Sequence, residues 1–311
     1  MLLAWPAPLL LQRAQWPSRA PGAALVLWQA IGISGGLALV TAPLTWGLQP
    51  FGQGIISAAV ELWTIFETHG LNAVLTDTRW HPFGLAAITL GFLLFGHLAL
   101  VLVHTAYRTF RQRRKHREFV EILAASLKEE EHGLQKPGTR MGHTRVLPVE
   151  DPLAYCLPAI NQPLTVVSQG LLEELTPNQL AAVLAHESAH LIQRHDVLRL
   201  AFQAWHKAAP WFPATGVAVT EVTELTEIMA DEYALTRHDR DDLLTALAHT
   251  VHPDTVEAVQ NPVSAENGRE ILSRRIRRLT NPDEQLSSCR VGLVIILAVL
   301  LVTVPAAVSL L

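Results

Sequence analysis

The chain has 311 residues, of which 50% are hydrophobic and only 17% charged, against about 25% charged in an ordinary globular domain. That deficit argues against a wholly water-soluble chain, and two cysteines exclude a disulfide framework. A net charge of -4, from 24 basic and 28 acidic residues, excludes a generally basic nucleic-acid binder.

The first segment, Met1 to Leu11, is apolar but short, and Pro6 and Pro8 interrupt it. It lacks the basic start and small-residue cleavage site of a signal peptide, which leaves a short span over 1–11, an interfacial segment or the remnant of a misassigned start. Charged residues are then missing from three stretches. None lies between Arg19 and Glu61, where 23–46 is densely apolar with Pro43 near its end. None lies between Arg79 and Arg108, where 85–106 is the most apolar part, and none in 291–311. As helices rising ~1.5 Å per residue, stretches of ~20 residues cross a hydrocarbon core of ~30 Å. Three membrane spans are therefore expected.

Basic residues set the expected orientation. Six Lys/Arg fall within Arg108 to Arg117, directly after the second span, and Arg269, Arg274, Arg275, Arg277, Arg278 and Arg290 precede the third. The 47–84 loop holds only Arg79 against Glu61, Glu67 and Asp77. The excess of positive charge places 108–290 in the cytoplasm and the 47–84 loop outside. At a membrane exit, the basic run reads as a topology signal or a contact to anionic lipid rather than to nucleic acid; Arg274 to Arg278 are likewise placed to meet lipid headgroups. In a reducing cytoplasm Cys156 and Cys289 are plain thiols. His97 and His104, seven residues apart in the second span, share a face; burial as neutral side chains is the plain reading, with a proton or metal role as the alternative.

The segment 119–289 is the water-soluble block. Phe119 to Leu127 continues the preceding helix, and Lys128 to His143 reads as a loop. Short strands are expected over 144–149, 154–160 and 164–168, separated by Asp151-Pro152 and Asn161-Gln162-Pro163. Thr176-Pro177 then starts a helix, with a hydroxyl to cap it and a proline at its first position.

That helix carries His186-Glu187-Ser188-Ala189-His190. His186 and His190, one turn apart, leave the same face and can share one zinc ion. Glu187 lies ~100° around the helix, beside the metal, where its carboxylate can take a proton from the attacking water. An ordinary polar helix face is the bland alternative. A zinc peptidase needs a third protein ligand. The version with a third histidine is absent, because Gln193 and Asp196 occupy its positions. Downstream, Glu227 and Asp231 sit one turn apart on a face of a later helix, with Ala230 and Ala234 small enough for close packing. Glu227 fits as the ligand, and Asp231 as the acceptor from the outer nitrogen of a ligating histidine. Glu224 competes for the ligand position, while Glu221 and Glu232 suit an exposed face.

The motifs His186-Glu187-Ser188-Ala189-His190, His195-Asp196 and Glu227-Ile228-Met229-Ala230-Asp231 resemble those of BlaR/MecR-type membrane metallopeptidases, integral-membrane relatives of the gluzincin fold. More distantly they are similar to the HtpX and CAAX-prenyl-protease type, which has Gly where Ala189 stands. Ala154 to Ala159 and Val166 to Leu172 resemble the strands before the zinc helix. The resemblance covers most of 119–280. It implies a bacterial regulatory protease in the cell membrane that cuts a cytoplasmic repressor of winged-helix type, or itself, on an outside signal. The β-lactam-sensing members carry a penicillin-binding domain after their last span; this sequence stops at Leu311, so a signal is expected through the 47–84 loop, the membrane or a partner.

Other candidates carry less. His195, nine residues after His186 and ~180° around a continuous helix, is a poor ligand and is expected to contact a neighbouring helix or Asp196. Tyr233 and His238 could donate to an oxyanion. Trp205, Trp211 and Phe212 pack between the two zinc helices or lie at the membrane interface. The expected fold is an α-helical multi-pass membrane protein with an inserted cytoplasmic α+β zincin-like (minimal gluzincin) domain: 1–118 membrane region, 119–289 peptidase, 291–311 final span. The expected activity is zinc-dependent endoproteolysis of a protein or peptide. A quality-control protease for membrane proteins and a non-proteolytic receptor with a zinc-stabilised domain are the rivals.

Overall fold

The computed structural model describes residues 6–80, 82–128, 143–157, 164–250, 262–281 and 286–310. In chain order the helices are α1 (Pro6–Arg13), α2 (Trp16–Arg19), α3 (Pro21–Leu48), α4 (Ile55–Leu75) and α5 (Gly84–Lys128). Three strands follow: β1 (His143–Leu147), β2 (Ala154–Leu157) and β3 (Leu164–Ser168). Then come α6 (Gln169–Glu174), α7 (Pro177–Ile192), α8 (His195–Ala208), α9 (Pro213–Leu235), α10 (Arg240–Thr250), α11 (Pro262–Thr280) and α12 (Ser288–Leu310). The expected loop 128–143 lies almost wholly outside the described residues.

The chain forms two compact units. One comprises Met1–His104, Phe202–Val219 and Leu286–Leu311; the other comprises Thr105–Ala201 and Thr220–Gln285. Among the described residues three helices are long and apolar enough to cross a bilayer: Pro21–Phe51, Gly84–Val120 and Ser288–Leu310. They contain the stretches 23–46, 85–106 and the described part of 291–311, and they mark a membrane protein. In the first unit α3 packs along α12, where apolar surface alone gives no preference over lipid. Polar contacts fix the pairing: the Ser34 hydroxyl donates to the Leu301 carbonyl at 2.6 Å, and the Thr41 and Ser309 hydroxyls lie 3.2 Å apart. Trp205 packs against Phe202 and Phe212, and the would-be Cβ atoms of Gly32 and Gly35 in α3 face the rings of Phe202 and Trp205. Phe202 and Trp205 therefore pack on the apolar helix α3. The His97 Nε2 lies 3.0 Å from the Ala208 carbonyl, which is the last of α8 and otherwise lacks an intrahelical donor. The histidine caps a helix end.

Of 1–11, residues 6–11 are described and belong to the eight-residue α1 (Pro6–Arg13), ~12 Å long. The 47–84 region is not merely a loop: α4 runs through it for 21 residues, with Ile56, Val60 and Trp63 exposed and a break at Gly70, whose φ is 79°. Arg79 holds the α4 residue Glu61 at 3.1 Å and pairs with Asp77 at 3.0 Å.

The second unit is layered around a three-stranded mixed sheet of order β1-β3-β2, β1 parallel and β2 antiparallel to β3. The expected strands start within a residue of these; 158–160 lie outside the described residues. Every residue of β3 is buried, because both faces are covered. Val166 points into a cluster with Val120 of α5, Leu147 and Leu164. Val167 points the other way, into Leu171, Leu175 and Val183 of α7. Alternation along one strand thus clamps the sheet between the end of α5 and the metal-motif helix. Beyond α7, Ala182 and Ala185 meet Ala234 of α9, Leu243 and Leu247 of α10 and Leu279 of α11. Small residues let these helices approach closely. Gly170 is needed for another reason: a Cβ there would stand 1.7 Å from the Glu150 carbonyl oxygen.

Candidate metal centre

Helix α7 begins as its sequence predicts. Thr176 accepts from the Gln179 N–H, the Gln179 side chain returns a bond to the Thr176 N–H, and Pro177 occupies the first turn. This fixed start, and the apolar contacts of Ala182, Val183 and Ala185, present His186 and His190 toward α9. Their Nε2 atoms lie 3.2 Å apart. Glu227 of α9 faces both, with one carboxylate oxygen 3.4 Å from His186 Nε2 and the other 3.5 Å from His190 Nε2.

Taking one atom from each residue, the three ligand atoms lie within 4.8 Å of one another, close enough to converge on a zinc ion. Zinc bonds of about 2.1 Å in a tetrahedron put neighbouring ligand atoms about 3.4 Å apart. The donor set, two imidazoles and a carboxylate, is one that a catalytic zinc takes while keeping a fourth position for water or substrate. His186, His190 and Glu227 could together hold one metal ion. Glu224, the competing carboxylate, is turned elsewhere and pairs with Arg274 at 2.7 Å.

A surrounding shell of polar groups orients these three. Asp231 Oδ1 approaches His186 Nδ1 to 2.9 Å, although obliquely to the ring N–H direction. Arg275 of α11 grips Asp231 with two parallel bonds of 2.8 and 2.7 Å and reaches Glu227 with its third nitrogen at 2.8 Å. Arg199 of α8 donates to the other Glu227 oxygen at 2.6 Å and to Thr226 at 2.7 Å. Burial alone would raise the Glu227 carboxyl, but Arg275, His186 and Arg199 outweigh it and hold it well below the usual carboxylate range. For His186, burial disfavours the cation, yet Asp231 and Glu227 together raise it to about 9. The carboxylates thus make the point between the rings a place for positive charge. His190 goes the other way, lowered to about 3 chiefly by burial.

Glu187 stands beside this centre. Burial is the main cause that pushes its carboxyl up to about 6, in part against its attraction to His186, and it accepts a bond from the Cys156 backbone N–H on β2. A carboxyl poised near neutral pH can take and return a proton. Cys156 itself is a free thiol pushed up to about 11 by burial, which makes it a poor nucleophile.

The remaining sequence candidates fall differently. His195 does not meet Asp196, which pairs with Arg113 at 2.6 Å. Its ring instead lies 2.9 Å from His190 Nδ1. The ~180° reading assumed one continuous helix; α7 ends at Ile192, and Arg194, with φ 52°, reverses the chain before α8 begins at His195. The Tyr233 ring lies under the Arg237 guanidinium at 4.7 Å. Among the described residues no hydrogen bond joins Tyr233 or the His238 ring to the centre. Glu221, expected to be exposed, is buried at 6% exposure, whereas Glu232 is half-exposed and pairs with Arg278. Arg274, Arg275 and Arg278 are engaged by Glu224, Asp231 and Glu232. Arg199 and Arg275 were missed. The signal for Arg275 was available as complementarity: carboxylates at 224, 227 and 231, three and four residues apart, are answered by a cluster of guanidinia at 274, 275 and 278.

Residues 134–282 match the model of Peptidase family M48. No curated protein matches the chain. The matched segment contains the whole His/His/Glu cluster, and the match and the cluster agree on a zinc-dependent peptidase site.

Proposed function

We propose that this chain is a membrane-bound zinc endopeptidase in which His186, His190 and Glu227 hold the metal and Glu187 is the general base. The observation that carries the reading is the convergence of one ligand atom each from His186, His190 and Glu227, all within 4.8 Å of one another, with Glu187 beside them. Zinc bound there supplies a Lewis acid that polarises the scissile carbonyl and acidifies the attacking water. Glu187 removes the proton of that water as it attacks the peptide carbon and then delivers it to the leaving amine. Arg275 and Arg199 keep Glu227 ionised, and Asp231 holds the His186 ring. The β2 edge beside Glu187 offers backbone groups along which an extended peptide can lie.

The finer reading is regulatory: cleavage of a cytoplasmic repressor, or of the chain itself, with a peptidase domain on the cytoplasmic side of a multi-pass membrane protein. It is supported by the BlaR/MecR-type resemblance of the two helix motifs and by the basic residues of 108–117. The test compares membranes and cytosol of cells carrying wild type or Glu187→Gln by quantitative proteomics of new peptide ends. One or a few cytoplasmic regulators cut only by wild type is the expected result. Fragments spread over many membrane proteins would replace it with the quality-control reading. Identical patterns, with zinc still bound to both proteins, would leave a non-proteolytic receptor.

A further inference from the structure

His195 is the first residue of α8 and is 2% exposed. The left-handed residue Arg194 brings the His195 ring to the last turn of α7, where it bridges His190 of that helix and the C-cap residue Gln193. Its Nδ1 lies 2.9 Å from His190 Nδ1 and its Nε2 lies 3.0 Å from Gln193 Oε1.

With a neutral His195 ring and Gln193 Oε1 facing it, the donors and acceptors in this row order themselves from Gln193. The Gln193 carbonyl oxygen only accepts, so the His195 Nε2 carries a hydrogen and donates. With its hydrogen on Nε2, the neutral His195 ring presents a lone pair at Nδ1. That lone pair accepts from His190 Nδ1–H. The His190 hydrogen is thereby fixed on Nδ1, and its Nε2 lone pair is left bare, facing His186 Nε2 at 3.2 Å and Glu227 at 3.5 Å. The opposite tautomer of His190 would put a hydrogen where a metal has to bind.

We propose that His195 is a positioning residue: through Nδ1 it fixes the tautomer and ring orientation in which His190 ligates the metal. The proposal rests on the zinc-peptidase reading. It gives His190 the outer-nitrogen partner that Asp231 provides for His186, but from a neutral acceptor in place of a carboxylate. Outer partners of this kind hold ten- to a hundredfold in metal affinity.

The test uses the full-length chain in detergent, stripped and reloaded with zinc, and reads zinc affinity by competition with a chromogenic chelator. Melting of each metal-free protein is recorded alongside. His195→Leu removes the acceptor and is expected to bind zinc 10- to 100-fold more weakly. His195→Asn places Oδ1 near the position of Nδ1 and is expected to stay within about threefold of wild type, because the accepted bond is kept. Should the leucine variant not fold, His195→Ala is read in its place, against the same asparagine rescue. A folded variant without the acceptor that binds zinc as tightly as wild type overturns the proposal. So does an asparagine variant as weak as the leucine one. Wild type that binds no zinc is a different outcome and removes the zinc-peptidase reading itself.

Discussion

Asp231 and Arg275 are joined by two parallel hydrogen bonds in a place almost closed to water, with 2% of Asp231 and 7% of Arg275 exposed. The same guanidinium contacts Glu227, and the same carboxylate contacts His186. One residue of α11 therefore braces both a candidate metal ligand and the group that orients another, through a fork that fits a carboxylate in its own plane.

Arg275→Met leaves the Asp231 and Glu227 carboxylates buried without their shared cation. Removing one partner of a buried ion pair costs about 3–5 kcal/mol, and chemical denaturation of the detergent-solubilised protein is expected to show a loss in that range. Arg275→Lys keeps the charge but lacks the planar fork, so it is expected to fall between wild type and methionine. A methionine variant within about 1 kcal/mol of wild type would show the brace to be dispensable.

Glu221 gives a stability that depends on pH. Burial first, and Glu224 second, raise its carboxyl from 4.5 to about 7. The folded state thus holds this proton more tightly than the unfolded chain does. Its contribution is complete below pH 4.5 and is lost as pH rises through about 7. Glu221→Gln cannot ionise. Its stability relative to wild type is expected to climb between pH 5 and 8 by roughly 1–3 kcal/mol. Denaturation curves at three pH values check this, and a difference independent of pH would refute it.

Arg194 adopts φ 52° between α7 and α8, in the left-handed region that glycine enters without cost. Arg194→Gly is expected to change stability by less than about 1 kcal/mol in either direction, since relief of strain offsets a looser unfolded chain. Arg194→Val, with a branched Cβ, is expected to cost about 1–3 kcal/mol and to weaken zinc binding through displacement of His195. Equal behaviour of the two variants would argue against a turn set by backbone conformation.

Gly170→Ala tests the close approach at the start of α6. The new Cβ would stand 1.7 Å from a main-chain oxygen of Glu150, and backbone on both sides leaves no flexible side chain to yield. A loss of about 2 kcal/mol or more is expected, read as a lower melting temperature, whereas an unchanged melting temperature would show that the 150–170 contact can shift.

Local regularity explains which parts were legible from sequence. The start of α7, the shared face of His186 and His190, and the pairing of Glu227 with Asp231 all follow from capping chemistry and a helical period. Long apolar runs likewise located α3, α5 and α12. What eluded the sequence depended on groups distant in the chain. Glu61, Glu67 and His69 break the apolar run of α4, yet Arg79 comes back to neutralise Glu61. The turn at Gln193-Arg194 contains neither Gly nor Pro, so the pattern predicts a continuous helix with His195 on the far side. Arg275 lies 44 residues from Asp231, and only the packing of α11 on α9 joins them. Glu221 sits in an acidic, outwardly polar stretch, and burial there is decided by the neighbouring helices.

The grouping of Phe202–Val219 with the apolar helices has a practical side. Cutting the chain at 119 and 289, where charge and hydropathy mark off a soluble block, would retain this segment but discard α3 and the His97 end of α5. Phe202 and Trp205 would lose the glycine-lined surface they pack on, and the Ala208 carbonyl its donor. The excised fragment would carry an aromatic patch into water between the helices that bear His195 and Glu227. Biochemistry on this protein therefore calls for the intact chain in detergent or nanodiscs, and a soluble preparation of the excised block is expected to aggregate.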